Sequence, residues 1–262
     1  MRHPIRVLRR LGAFLWITTG AVMGQRKERR RVEGRDEPAR RAAWMHGTSR
    51  RVLPAMGMRM EHAGRVPGRG LVVCNHLGYL DIPVLAATGP MVFVSKAEVR
   101  YWPGLGTLAR CGGTLFLKRE ARGQVAAIGR AIEPMVEAGT VVTLFPEGTS
   151  TGGDRVLAFG SSLLEPAAAR GWPVTPAWIS YEVDEGTVAE DVAYWRDMTF
   201  VPHFLNLLAR GRVVGRVRYG EPLVGAGDRK ALSRGLHEAV CRLREEGWGG
   251  VGAVAGGSGA AL

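Results

Sequence analysis

The sequence predicts an α/β fold in which a mixed, mostly parallel sheet is flanked by helices and preceded by an N-terminal membrane-associating helical segment. Short apolar runs rich in β-branched residues alternate with stretches of helical periodicity after residue 70, which is the pattern of strands and helices that pack on one sheet. The length of 262 residues suits one large domain, or one domain with a helical appendage. A hydrophobic fraction of 46% is enough for a sizeable core.

The N-terminal region begins with arginines and continues into an apolar run over residues 11–24. That run is shorter than the roughly 20 residues of an ordinary membrane-spanning helix. It fits an interfacial helix, a signal peptide or a core helix, and we favour the interfacial helix because a basic run follows at residues 26–31. A second amphipathic helix is predicted over residues 42–60, with a break or kink at Pro54. Residues 1–62 are therefore assigned to a basic, helical, membrane-associating region.

Residues 63–246 are assigned to an α/β domain. Its six predicted strands are short apolar runs at residues 71–74, 91–94, 114–117, 141–145, 174–181 and 213–219. A helix is predicted over residues 124–138 from apolar residues at helical spacing, and Asp228 is predicted to cap another helix. Residues 247–262 are rich in Gly, Ala and Val without periodicity and are predicted to form a flexible tail.

The chain is strongly basic, with a formal net charge of +12. This charge indicates an anionic partner, which could be a nucleic acid, an anionic membrane, or an acidic protein or cofactor. An arginine-rich genome is an alternative explanation. Charge alone does not separate these classes, so the assignment depends on the chemistry of the site.

The three cysteines are scattered, and they provide neither a disulfide framework nor a paired-cysteine metal site. We expect reduced thiols in a protein that faces the cytosol. Cys74 follows two valines and is interpreted as a strand core position in preference to a catalytic nucleophile.

The residues with the clearest catalytic character are His76 and Asp81, which follow the predicted strand at residues 71–74. Active groups concentrate at such strand ends in α/β sheets. A hydrogen bond between the two side chains would fix the imidazole tautomer and leave the other ring nitrogen as a general base. The chain has no G-x-S-x-G nucleophile elbow, which suits a substrate that supplies its own hydroxyl. The alternative is that Asp81 caps the next helix beside a histidine without a catalytic role.

Two further strand ends carry groups that suit an anionic substrate. The turn at residues 145–150 offers backbone N–H groups and the hydroxyls of Thr149 and Ser150, which could cradle a phosphate. Lys118 and Arg119 place cations at the same edge of the sheet. Each feature has a structural alternative, which is an ordinary turn in one case and a solvated pair of charges in the other. In combination with the histidine, these groups suit the activation of a hydroxyl on a phosphorylated substrate.

The sequence resembles the glycerolipid acyltransferases related to 1-acyl-sn-glycerol-3-phosphate acyltransferase. The resemblance covers roughly residues 45–222 and comprises four blocks in the order of that family. They are N-H-x-x-x-x-D at residues 75–81, G-x-x-F-x-x-R at 113–119, F-P-E-G-T at 145–149, and a looser strand block at 174–176. The joint match of the first three blocks is highly specific.

The chain departs from many members of that family at Gly78, where they have Ser or Thr. Residues 194–200, followed by His203, resemble bacterial relatives that include acylators of lyso-ornithine lipid. Both features leave the identity of the acceptor open between 1-acyl-sn-glycerol-3-phosphate and lyso-ornithine lipid.

The resemblance implies an O-acyltransferase in which His76 deprotonates the acceptor hydroxyl and Asp81 orients His76. It also implies a set of substrate-binding residues from the second and third blocks: Lys118, Arg119, Glu147, Gly148 and Thr149. The donor is expected to be an acyl-carrier-protein or coenzyme A thioester, and the product of the first acceptor would be phosphatidic acid. No metal, nucleotide or redox cofactor is expected.

The expected partners are an anionic membrane surface, the lysophospholipid acceptor and the acyl donor. The expected location is the cytoplasmic face of the cell membrane, with peripheral or monotopic attachment. Three alternative classes of protein are a nucleic-acid-binding protein, a non-catalytic lipid-binding relative, and an acyl-ester hydrolase. The chain has no recognised nucleic-acid-binding motif, so nucleic acid is not an expected partner.

Overall fold

The fold is built around one mixed β-sheet, seen in a computed structural model that describes residues 3–31, 38–117, 123–225, 227–248 and 254–255. Within these residues the strands are β1 (Met58–Ala63), β2 (Leu71–Cys74), β3 (Val92–Lys96), β4 (Leu115–Leu117), β5 (Val142–Leu144), β6 (Pro173–Val183), β7 (Val213–Tyr219), β8 (Leu223–Val224) and β9 (Val254–Ala255).

The strands lie in the order β4-β3-β5-β2-β6-β7-β1-β9, and β8 pairs with β6. All pairs from β4 to β6, and the pair of β7 with β1, are parallel. Strand β6 pairs antiparallel with β7 and β8, and β1 pairs antiparallel with β9. This arrangement confirms the predicted mixed, mostly parallel sheet.

Helices cover both faces of the sheet. In the described part of the chain they are α1 (Pro4–Arg31), α2 (Pro38–Ala55), α3 (Asp81–Thr88), α4 (Leu105–Cys111), α5 (Gln124–Glu137), α6 (Glu165–Arg170), α7 (Val188–Asp191), α8 (Phe200–Ala209) and α9 (Arg229–Glu246). One apolar core lies between the sheet and α1 to α4 with α8, and a second lies on the other face beneath α5, α6 and α9. Successive strand residues point to opposite faces, so Val72 belongs to the first core and Val73 to the second.

The six predicted strands and the helix predicted over residues 124–138 are present, with ends that differ by at most two residues. Asp228 caps α9, since its side chain accepts hydrogen bonds from the backbone N–H groups of Lys230 (2.7 Å) and Ala231 (3.1 Å). Of the predicted tail, Val254–Ala255 pairs with β1 as β9, and most of the remainder lies outside the described residues.

The helix predicted over residues 42–60 was wrong at its C-terminal end, because α2 ends at Ala55 and β1 follows at Met58. Gly57 separates the two elements with a φ of +79°, which lies in the left-handed region that favours glycine. The sheet therefore begins five residues before the predicted domain boundary at residue 63.

The error has a simple cause in the spacing of the methionines. Met56 and Met60 lie four residues apart, so they continue the apolar stripe of a helix. In the structure Met60 belongs to a strand in which buried Met58 and Ala63 stand at the two ends.

Helix α1 packs along the domain. The Phe14 ring contacts the Phe204 ring of α8, with centroids 5.1 Å apart. The Arg10 guanidinium donates hydrogen bonds to the carbonyl oxygens of Leu208 (3.1 Å) and Gly211 (2.7 Å), just beyond that contact. The inward face of α1 is thus part of the first core.

The outward face of α1 carries large apolar side chains in solvent. Ile5 and Trp16 are each 81% exposed, and Leu8 and Met23 are also exposed. Among the described helices, none combines the length and the apolar character that crossing a bilayer requires.

Candidate active site

The candidate site lies where the loops after β2 and β5 meet, at the carboxyl ends of two parallel strands that are neighbours in the sheet. Asn75 fixes the first loop to β6. Its Oδ1 accepts a hydrogen bond from the backbone N–H of Ile179 (2.8 Å), and its Nδ2 donates to the carbonyl oxygen of the same residue (3.0 Å). The chain therefore leaves β2 from a fixed point.

His76 and Asp81 lie in direct contact. Nδ1 of His76 and Oδ2 of Asp81 are 2.7 Å apart. Because a carboxylate only accepts hydrogen bonds, Nδ1 carries the proton and Nε2 is the nitrogen left to act as a base. The same Asp81 oxygen accepts from the backbone N–H groups of Leu77 (2.7 Å) and Gly78 (3.0 Å). Asp81 stands at the start of α3 and is fully buried, so the loop and the imidazole are both organised around its carboxyl group.

Two further contacts hold His76, one at its ring and one at its backbone. The ring stacks on Phe145, with centroids 4.2 Å apart. The carbonyl oxygen of His76 accepts a hydrogen bond from the backbone N–H of Thr151 (2.9 Å). Its side chain is 22% exposed, so the ring is supported by the protein and still reachable by a ligand.

His76 lines an open cleft in the surface of the domain. The walls include the aromatic side chains of Tyr79, Trp102 and Tyr194, and the charged Lys96 and Glu98 stand at exposed positions on the rim. The cleft therefore combines a base, an aromatic wall and charges of both signs.

A smaller apolar pocket adjoins this cleft between α1, α2, α4 and α8. The two cavities share Tyr79, Ile82 and Val99 as lining residues. The hydroxyl of Tyr79 pairs with Nδ1 of His203 (2.9 Å), whose Nε2 donates to the carbonyl oxygen of Ala193 (3.0 Å). The wall between the cavities is therefore a fixed tyrosine.

The predicted substrate-binding residues have different positions. Gly148 lines the cleft, while Thr149 is exposed and Glu147 does not line it. Lys118 and Arg119 lie outside the described residues, directly after the cleft residue Leu117 at the end of β4.

Glu147 is turned towards the interior, and both of its carboxyl oxygens are buried. Burial raises the pKa of Glu147 to about 8, and the nearby Asp81 charge acts in the same direction, whereas the backbone N–H groups of Leu157 and His76 lower it. Glu147 is thus a neutral acid at pH 7, placed behind the loop that carries His76 and Asp81.

Gly78 allows the segment between α7 and α8 to pack against the loop that carries His76. A Cβ atom at this position would stand 2.8 Å from the backbone nitrogen of Tyr194, and the φ of Gly78 is +154°. The backbone N–H of Tyr194 donates to the carbonyl oxygen of Leu77 (2.8 Å), and the Ser150 hydroxyl donates to the carbonyl oxygen of Tyr194 (2.6 Å). The absence of a Ser or Thr at residue 78 therefore has a steric reason.

Sequence reasoning missed Tyr181, whose hydroxyl donates to Oδ1 of Asp81 (2.8 Å). It also missed Trp102 and Tyr194 as cleft residues. Tyr181 stands two residues after Ile179 on β6, hence on the same face of the sheet. The alternation of side chains along β6 could have identified Tyr181, but only if the strand that pairs with β6 had also been predicted.

The described residues do not favour a metal site or a catalytic cysteine. Among the described residues, no group of three or more His, Cys, Asp or Glu side chains is arranged to hold a metal ion. Cys74 is fully buried in β2, and this burial raises the pKa of its thiol well above the ordinary value, which does not suit a nucleophile.

Comparisons with known proteins show which family the chain resembles. The family model described as Acyltransferase matches residues 57–180. The lyso-ornithine lipid O-acyltransferase of Pseudomonas aeruginosa is 33% identical over 88% of this chain and 86% of its own length. The 1-acyl-sn-glycerol-3-phosphate acyltransferase of Neisseria meningitidis is 32% identical over 52% of this chain and 55% of its own length.

The fold is also known from a solved structure. The crystal structure of the 1-acyl-sn-glycerophosphate acyltransferase of Thermotoga maritima superposes with a TM-score of 0.67 and 22% sequence identity. The superposition covers 94% of this chain and 97% of the other chain. It has the same general arrangement of sheet and helices, which supports the fold described above.

Proposed function

This chain belongs to the acyltransferase family and is an O-acyltransferase, and on that premise we propose that His76 and Asp81 transfer a fatty acyl group to the free hydroxyl of a lysolipid. The observation that carries this proposal is the 2.7 Å contact of His76 Nδ1 with Asp81, inside a cleft that His76 lines. It leaves Nε2 as a base for a ligand in the cleft.

The proposed reaction has two stages. The acceptor hydroxyl gives its proton to Nε2 of His76 while its oxygen attacks the carbonyl carbon of an acyl thioester. The C–S bond then breaks, the acyl group stays on the acceptor oxygen as an ester, and the proton on Nε2 passes to the leaving sulfur. Asp81 keeps the proton on Nδ1 throughout and stabilises the imidazolium between the two stages.

The donor in this proposal is an acyl-carrier-protein or coenzyme A thioester, and no metal, nucleotide or redox cofactor takes part. The apolar pocket beside Tyr79 presents an apolar surface to hydrocarbon next to the reacting centre. Gly148, on the cleft wall, and the cations Lys118 and Arg119, which follow β4, are proposed to face the acceptor headgroup.

Two acceptors are proposed, each for a specific reason. Lyso-ornithine lipid is favoured by the relative from Pseudomonas aeruginosa, because the match extends over 88% of this chain. The acceptor 1-acyl-sn-glycerol-3-phosphate, which would give phosphatidic acid, is favoured by the relative from Neisseria meningitidis and by two adjacent cations suited to a phosphate.

We further propose that the enzyme works at the cytoplasmic face of the cell membrane with peripheral or monotopic attachment. One support is the exposed apolar face of α1, which includes Ile5, Leu8, Trp16 and Met23. The other is the net charge of +12, which favours an anionic surface. Lysolipid acceptors reside in such a surface.

The test is acyl transfer by purified protein in mixed micelles, with both thioester donors offered to each acceptor. General-base catalysis contributes ~10²–10⁴-fold, so we expect His76→Ala to lose at least that order of turnover. His237→Ala on α9 is the matched control and should keep normal turnover. Full activity in a folded His76→Ala variant would refute the assignment of the base.

A further inference from the structure

Tyr181 is a buried tyrosine next to the loop that carries His76 and Asp81. It lies on β6, 100 residues from Asp81 in sequence, and its hydroxyl donates to Oδ1 of Asp81 at 2.8 Å. The same strand holds the start of the loop through Ile179 and Asn75. Strand β6 therefore holds both ends of the loop, through Asn75 at its start and Asp81 at its end.

The two oxygens of Asp81 are used very differently. Oδ2 accepts from His76, Leu77 and Gly78, whereas the hydrogen bond recorded at Oδ1 comes from Tyr181. A carboxylate held at one oxygen only can rotate about its last bond. A donor at the second oxygen fixes the plane of the carboxylate, and with it the direction of the imidazole.

Tyr181 is suited to remain a donor at every working pH. Burial, followed by the neighbouring Asp81 charge, raises the pKa of Tyr181 well above its ordinary value. The other titratable groups that face Asp81 are His76, the neutral thiol of Cys74, and Glu147, with a pKa raised by burial to about 8. Its phenol is thus a permanent neutral donor in this cluster.

We propose that Tyr181 is a positioning residue for acyl transfer, which acts through Asp81 to aim Nε2 of His76 into the cleft and to moderate the negative charge that Asp81 presents to the imidazolium. This inference rests on the proposed function, since it assumes that His76 is the base. Tyr181 itself touches neither substrate nor reacting atoms.

The experiment compares Tyr181→Phe with Tyr219→Phe. Tyr219 is a matched control because it is also a buried tyrosine, on the neighbouring strand β7, and its hydroxyl pairs with the Thr88 hydroxyl at 2.7 Å, away from His76. Each variant loses one hydrogen bond of a tyrosine hydroxyl, buried at Tyr181 and part-buried at Tyr219, so we expect both to lose thermal stability. A purely structural role would lower stability in both variants and change the pH dependence of catalysis in neither.

Only Tyr181→Phe is expected to change catalysis. We expect kcat to fall about tenfold, the size that corresponds to loss of a hydrogen bond to a charged group, with KM for donor and acceptor unchanged. Without the phenol, Asp81 stabilises the imidazolium more strongly, so the acid limb of the pH–rate profile should move to higher pH. Equal kinetics and pH profiles in the two variants would overturn the proposal.

A second readout does not depend on turnover. In protein with ¹⁵N-labelled histidine, the midpoint of the His76 ring titration should move to higher pH in Tyr181→Phe and stay in place in Tyr219→Phe. If the wild-type enzyme transfers no acyl group to any acceptor, the proposed function fails, while this titration still decides whether Tyr181 acts on the pair. An unmoved midpoint in Tyr181→Phe would overturn its role in either case.

Discussion

At the scale of single residues, Glu147 shows how burial changes the meaning of a sequence motif. As one letter of the F-P-E-G-T block it was predicted to bind the substrate, yet its carboxyl oxygens are buried and its pKa is raised to about 8. Its ordinary value is 4.5. Between these two pH values the folded protein keeps a proton on Glu147 that the unfolded chain has lost.

This difference leads to a prediction for Glu147→Gln, which replaces the acid with a neutral side chain of the same shape. Because the unfolded state binds fewer protons between pH 4.5 and about 8, wild-type stability should fall across this range relative to the variant. The slope should be at most ~1.4 kcal/mol per pH unit for one proton. Denaturant unfolding of both proteins from pH 4 to 9 measures it, and parallel stability curves would contradict the burial of an acid here.

Gly78 leads to a second prediction at this scale. Gly78→Ala places a methyl group against the Tyr194 backbone and also forces a non-glycine residue to a φ of +154°. We expect a loss of roughly 2–4 kcal/mol in the free energy of unfolding, with a fall in kcat because the loop carries His76.

The matched control is Gly139→Ala. Gly139 has a φ of +81° and nothing within 4 Å of an added Cβ atom, so it reports backbone strain without a clash. Gly78→Ala should be clearly the more damaging of the two by denaturant unfolding. Equal losses would mean that the contact with Tyr194 has no energetic role.

At the scale of secondary-structure elements, the apolar strands were predictable and the short, polar or aromatic elements were not. Strands β2 and β5 are buried on both faces, so their sequences are continuous apolar runs. Strand β1 contains Arg59, Glu61 and His62, and it resembles a continuation of α2. Helices α4 and α8 are short, and Leu105, Leu108 and Phe204 of these helices line the smaller apolar pocket, so local periodicity gave little indication of them.

Helix α1 carries the prediction for this scale. Its exposed face includes Trp16, and replacing this side chain with a charge should weaken attachment to a bilayer. Burial of one large apolar side chain contributes about 1.5–3 kcal/mol, so Trp16→Glu should reduce binding to anionic vesicles by at least about tenfold in a sedimentation assay.

Val224→Glu is the control for this test, since Val224 is an apolar residue that is 64% exposed on β8, in contact with α9. It makes the same change of charge on another surface. If the two variants bind vesicles equally well, α1 is not the lipid-contacting element. Raising the salt concentration should weaken binding of the wild-type protein, because the basic surface is screened.

At the scale of the whole molecule, the sheet order explains which part of the site could be predicted. His76 and Asp81 are five residues apart, so their contact forms within one loop, and the spacing indicated it beside the alternative of a helix-capping Asp81. Tyr181 reaches the same carboxylate only because β6 lies next to β2. Tyr194 reaches the loop through packing at Gly78. Contacts of this second kind depend on topology, which local patterns do not contain.

The attachment of α1 by Arg10 to the carbonyl groups of Leu208 and Gly211 has a consequence for how the enzyme would search for its acceptor. These hydrogen bonds hold α1 against the domain, so its outer face and the cleft share one orientation in the structure. On a bilayer, as proposed, tumbling is removed and only translation in the plane and rotation about the membrane normal remain. The encounter of the cleft with a lysolipid then becomes a two-dimensional problem, in which the surface density of the acceptor sets the rate of collision.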